Sequence, residues 1–143
     1  MILKMVTLKD SREIPAKLLR VWEIVSDIDN DPKYWPGINS VSNISKYGNV
    51  IEREVTVGFR NSKSKQTVIL EPTKSVTTKM NEGPMIGAKV VTLSQIGDNR
   101  TNIEVIWDFR LDGIPVLFRE GVQKFIIEGT KVALDRIAKT ASN

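Results

Sequence analysis

The sequence predicts an α+β domain in which one long carboxy-terminal helix is gripped by an antiparallel sheet. Three observations carry that prediction. Residues 115–139 hold an apolar stripe at three- and four-residue steps. Residues 41–111 switch to a two-residue alternation broken by tight turns. No internal repeat, low-complexity tract or linker interrupts the 143 residues, which suits a single domain with a sizeable core.

The long helix opens at Gly113-Ile114-Pro115, where proline suits a position whose N–H would lack a partner anyway. Phe118, Val122, Phe125, Ile126, Gly129, Ala133 and Ile137 form the stripe, with Arg119, Glu120, Lys124, Glu128, Lys131 and Asp135 mostly outside it. At 1.5 Å per residue such a helix is about 37 Å long.

Taken in order, the chain starts with a strand-like run, Ile2 to Lys9. Glu13-Ile14-Pro15-Ala16 stops that strand and starts a helix with Val21, Trp22, Ile24 and Val25 as its apolar face; Asp27 to Pro32 breaks it. Tyr34-Trp35-Pro36-Gly37-Ile38, flanked by Asp, Asn, Pro and Gly, predicts a second brief helix or turn. Six strands follow at Val41–Tyr47, Val50–Gly58, Lys65–Glu71, Ser75–Asn81, Ala88–Ile96 and Thr101–Leu111. Their short connectors favour sequential hairpins. Ile103, Val105, Trp107, Phe109 and Leu111 share one face of the last strand, and Glu104, Asp108 and Arg110 the other. The phase of Val90-Val91-Thr92-Leu93 stays open.

Composition removes whole classes of chemistry. Without cysteine there is no disulfide framework, thiolate nucleophile or cysteine-bound metal, and without histidine no Ser-His-Asp triad or imidazole base. Glu52, Glu54, Glu71, Glu104 and Asp108 fall on outward phases or in turns, so no paired carboxylates mark a cleft. No catalytic residue, metal or cofactor is expected. The 21 basic and 17 acidic residues leave a net charge of +4, with Arg60, Lys63 and Lys65 in one loop. That loop has no interleaved aromatics for stacking bases, so nucleic acid is not the expected partner. No apolar run approaches the roughly 20 residues of a membrane span, and Met1-Ile2-Leu3-Lys4 lacks a signal peptide's apolar block. The expected location is cytoplasmic.

The element order and two segments carry a resemblance. Ile14-Pro15-Ala16, followed by Val21-Trp22-Glu23-Ile24-Val25 and Asp27, resembles the entry helix of the START/polyketide-cyclase (SRPBCC) superfamily. Pro32-Lys33-Tyr34-Trp35-Pro36 is similar to that family's second short helix, and the match in element order extends from Leu3 to Ala138. The resemblance implies a helix-grip fold, a strongly curved seven-stranded antiparallel sheet wrapped around the carboxy-terminal helix. It also implies roles in binding or transferring lipids, sterols, quinones or hormones, in aromatic-ring cyclisation, or in co-chaperone work. Fold alone does not choose among them.

A curved sheet cannot follow a straight helix along its whole length, so such a grip leaves a cavity. Gly129 and Ala133 are expected to let one half of the helix approach the sheet. Phe118, Val122 and Phe125 on the other half, facing Trp107 and Phe109, either line a space or fill a core. Arg53, Gln66 and Thr78 fall in inward phases and are the candidate orienting groups, although Arg53 at a strand end also suits a guanidinium reaching water. Trp35, Val55, Val57, Val68 and Met85 complete the candidate ligand-binding set. Flanking glycines and Pro84-Met85-Ile86 make the 82–87 loop either an ordinary turn or, as the resemblance implies, a gate. The expected function is binding, with or without transport, of a small hydrophobic molecule such as a lipid, isoprenoid, quinone or polyketide, with transient contact at a membrane surface. A polyketide cyclase/dehydrase-like enzyme and a co-chaperone-like interaction module stand as alternatives.

Overall fold

Short hairpin connectors leave each strand beside the one before it, and the two-residue alternation then gives the whole sheet a single apolar face. The computed structural model describes residues 5–143. Its strands are β1 (Val6–Ile14), β2 (Ile38–Tyr47), β3 (Val50–Val57), β4 (Lys63–Glu71), β5 (Ser75–Glu82), β6 (Met85–Gly97) and β7 (Arg100–Leu111). They form one antiparallel sheet in the order β1-β7-β6-β5-β4-β3-β2. Helix α1 (Leu18–Val25), a 3-10 turn (Ile28–Asn30) and α2 (Asp31–Tyr34) carry the chain from one sheet edge to the other, and α3 (Val116–Ala141) ends it.

Several boundaries shift from the sequence reading, three of them in ways that bear on the site. Of the expected first strand, residues 1–4 lie outside the described residues, and β1 continues to Ile14 because Asp10 to Ile14 stay paired with Val105 to Thr101. Arg12 and Glu13 point their charges away from the core, to Asp135 and Arg100. The second short helix starts ahead of the aromatic segment and ends in it: the 3-10 turn and the first residues of α2, Asp31 and Pro32, fall in the stretch read as a break, α2 runs on to Tyr34, and Ile38 already pairs with Val57. Strand β6 starts at Met85 rather than Ala88, since Met85 and Gly87 pair with Leu111 and Phe109. The loop considered as a gate is thereby reduced to Gly83-Pro84 and the first residues of a strand. Gly87 has φ +150°, and a Cβ there would stand 2.1 Å from the Asp108 carbonyl oxygen. Only glycine fits that approach.

Helix α3 runs unbroken through Gly129, with Pro115 at its N-cap. Its second half buries Thr130, Ala133, Leu134, Ile137, Ala138 and Ala141. The apolar members of that face pack with Val21 and Ile24 of α1 and with Val91, Leu93, Ile103 and Val105 of the sheet. Burying each Leu or Ile side chain contributes about 1.5–3 kcal/mol, so this end anchors the grip. Trp22 packs against the same cluster and is only partly buried. The first half of α3 buries Ile126 alone, against Met80, Phe109, Leu111 and Ile114. Gly129 does not press on the sheet as expected; its position faces the connector after α2, where an added Cβ would meet Pro36 Cδ at 3.9 Å.

Candidate functional site

Successive strands bring one row of inward residues to the same level. Arg53 of β3 is paired with Gln66 of β4, Gln66 with Met80 of β5, Thr78 of β5 with Lys89 of β6, and Lys89 with Trp107 of β7. Across from this row, α3 presents Val122, Phe125, Ile126, Gly129 and Thr130, and Trp35 closes the end under α2. Between them lies a cavity of about 130 Å³. For scale, an apolar cavity of roughly 150 Å³ holds one benzene.

Nine of the residues nominated from the sequence line this space: Trp35, Arg53, Val57, Gln66, Thr78, Met85, Trp107, Val122 and Phe125. Phe125 sits at the rim, 52% exposed. Four do not line it. Val55, Val68 and Phe109 are fully buried in filled core. Phe118 is 48% exposed in the first turn of α3, beside the still more open Val116 and Leu117, because Ile114 just ahead of the helix takes the inward position.

The polar end of the cavity is built around two buried cations and one buried carboxylate. Arg53 is 1% exposed, so its guanidinium does not reach water. Nε donates to Gln66 Oε1 at 3.0 Å and Nη1 to the Ile28 carbonyl at 3.1 Å. Nη2 stands 2.8 Å from Asp31 Oδ2, an ion pair at close range without the alignment of a hydrogen bond. Asp31 opens α2, and the compact turn Ile28–Tyr34 holds both its carboxylate and the Ile28 carbonyl over the sheet. Trp107 Nε1 donates to Thr130 Oγ1 at 3.0 Å, and that hydroxyl donates to the Ile126 carbonyl at 2.7 Å. The indoles of Trp35 and Trp107 meet edge to face, centroids 6.1 Å apart.

Lys89 is the most consequential of the site residues that sequence reasoning missed. It is 5% exposed and lines the cavity, its Nζ 3.5 Å from the Trp35 ring centroid and 5.2 Å from that of Trp107. Burial pushes its ammonium down to about 8 from 10.5; Asp31 opposes the drop and Arg53 adds to it. Counting back by twos from Leu93 and Val91 reaches Lys89, a signal lost when the phase of β6 stayed open. Asp31 was missed too, since it stood inside a stretch read only as a helix breaker. Ser64, Met80 and Thr130 also border the cavity. Among the described residues no cluster of three or more His, Cys, Asp or Glu side chains is placed to hold a metal.

Fold and cavity together define a helix-grip domain with an apolar interior and a charged inner end. Residues 5–142 match the family model described as polyketide cyclase / dehydrase and lipid transport, and the chain belongs to that family. Among solved structures it is similar to the Zhui aromatase/cyclase from Streptomyces sp. R1128, with TM-score 0.85 and 13% identity over 97% of this chain and 94% of that one. It also resembles a START superfamily protein from Mycobacterium smegmatis, with TM-score 0.77 and 15% identity over 95% and 97% of the two chains. A Thermus thermophilus protein aligns with TM-score 0.79 and 17% identity, again over 95% and 97%. At these identities the likeness is one of fold. No curated protein matches the sequence. Among the described residues no helix is long and apolar enough to cross a membrane.

Proposed function

We propose that this protein binds a small, mostly apolar molecule in the cavity between the first half of α3 and the sheet. The observation that carries the reading is the cavity itself, with walls of Trp35, Met80, Trp107, Leu111, Ile114 and Ile126 and polar groups gathered at one end. Concave apolar space with a few fixed polar groups is the common form of a small-molecule site. The enclosed volume suits one ring or a short chain; a longer lipid or isoprenoid extends past Phe125. In this reading the protein works in the cytoplasm, and Val116, Leu117 and Phe118 touch a membrane surface briefly during exchange. Native mass spectrometry of the purified protein, followed by organic extraction, tests the reading. A co-purifying apolar molecule, or saturable binding of an apolar fluorescent probe that Trp107→Ala alters, is the expected result. A ligand-free protein that binds no such probe overturns it.

A second reading has one observation in its favour. Lys89 and Arg53 bring an amine and a guanidinium to the inner wall; the neutral form of the amine can accept a C–H proton, and the guanidinium can stabilise the enolate that develops during ring closure. The family description and the likeness to an aromatase/cyclase support the same direction. Turnover of a poly-β-ketone substrate that Lys89→Met abolishes would establish it.

A further inference from the structure

We propose that the ligand carries one anionic oxygen head, a carboxylate or an ionised enol or phenol, seated on Lys89 between Trp35 and Trp107, with its apolar body directed toward Phe125. The proposal rests on the small-molecule reading above and specifies its substrate class.

Charge and donor count both lead to that head. Asp31 is already engaged: its Oδ2 lies 2.8 Å from Arg53 Nη2. The other guanidinium nitrogens of Arg53 are used by Gln66 and the Ile28 carbonyl. That pair is neutral within itself. Lys89 is left as the buried charge without an ion-pair partner among the described residues, held only by the faces of two indoles. A lysine ammonium has three donors, and the rings satisfy none of them as an oxygen would. An unpaired buried charge is costly until an opposite charge meets it. A neutral carbonyl or hydroxyl would fill a donor and leave the charge standing, whereas an anionic oxygen answers both. The charged groups facing Lys89 are Asp31 from α2 and Arg53 from β3; Gln66 of β4, Thr78 of β5, Trp107 of β7 and Thr130 of α3 do not titrate. The lowered ammonium pKa agrees with this placement and predicts proton uptake when an anion binds.

Calorimetric titration with 4-propylbenzoate and 4-propylbenzyl alcohol tests this, since the two probes share a body and differ in head charge. At pH 7 the acid should bind at least tenfold more tightly than the alcohol. Lys89→Met should weaken the acid at least tenfold and change the alcohol less than threefold. At pH 8, titration in two buffers of different ionisation enthalpy should show uptake of a fraction of a proton with the benzoate and none with the alcohol. Equal affinity for the two probes overturns the anionic head while leaving cavity binding intact. If neither probe binds at millimolar concentration, both readings fall. An acid preference that survives in Lys89→Met assigns the head to another group and also overturns the proposal. Should that variant not fold, the wild-type comparison decides, and an acid preference of less than tenfold over the alcohol at pH 7 overturns it.

Discussion

Lys89 holds its charge where solvation is poor, and its folded-state pKa of about 8 lies below the 10.5 of an exposed lysine. Between those two values the unfolded chain binds a proton that the folded one has released, so stability rises with pH across that interval. Below about pH 8 both states are protonated and the full burial penalty stands. The ligand-free protein should therefore gain on the order of 3 kcal/mol of Lys89-dependent stability from about pH 7.5 to about pH 10.5, at about 1.4 kcal/mol per unit. Urea denaturation along this pH series checks it, and the Lys89→Met series should lack that gain. Asp31 supports a prediction about the other buried cation. Replacing it by Asn keeps its shape but leaves the Arg53 guanidinium buried with only neutral acceptors, a change that typically costs about 3–5 kcal/mol. The same denaturation assay at pH 7 measures it; a loss under about 1 kcal/mol, the scale of an exposed ion pair, would show that Arg53 does not depend on that carboxylate.

At the scale of elements, α3 is two helices in energetic terms. Its second half is locked by Ala133, Leu134 and Ile137, whereas its first half touches the protein through Val122 and Ile126 beside the cavity. Gly129 lies between the two and contributes flexibility without a close contact that demands it. Gly129→Ala should stabilise the protein by about 0.5–1 kcal/mol, the helix preference of alanine over glycine, because the new methyl meets Pro36 at an ordinary 3.9 Å. Gly87 behaves in the opposite way. Its φ of +150° and the 2.1 Å approach to the Asp108 carbonyl mean that Gly87→Ala must open the β6–β7 pairing. Strain of this kind alone costs roughly 1–3 kcal/mol, with the clash added. Thermal unfolding of the two variants should move in opposite directions. Identical shifts would refute the placement of one glycine or the other.

For the whole molecule, the sequence was most legible where periodicity is long and clean. The alternation along β7 and the stripe of α3 suffice for a seven-stranded grip, and Arg53, Gln66 and Thr78 fall inward as their phases require. The cavity's chemistry was less legible. An inward lysine makes sense only with the two indoles that Lys89 meets, and those come from α2's connector and β7, far apart in the chain. Asp31 needed the turn that folds an acidic segment over the sheet, which leaves no periodic trace. Phe118 and Phe109 show the converse, since the same apolar pattern describes an exposed first turn, a filled core and a cavity wall alike. Stability separates the last two. Phe109 is fully buried and borders no space, so Phe109→Ala should cost about 3–5 kcal/mol, as for an aromatic removed from a filled core. Trp107 already faces the cavity, and Trp107→Ala enlarges a void rather than creating one. Its cost should fall clearly below that of Phe109→Ala despite the larger side chain, because fewer packed contacts are lost and Thr130 keeps its bond to the Ile126 carbonyl. Chemical denaturation of both variants, with titration of an apolar fluorescent probe, provides the comparison. The probe should respond to Trp107→Ala in affinity and to Phe109→Ala only through the fraction folded. Equal losses of stability, together with no binding by the parent, would mean that β7 and α3 meet in a filled core and that the molecule holds no ligand there.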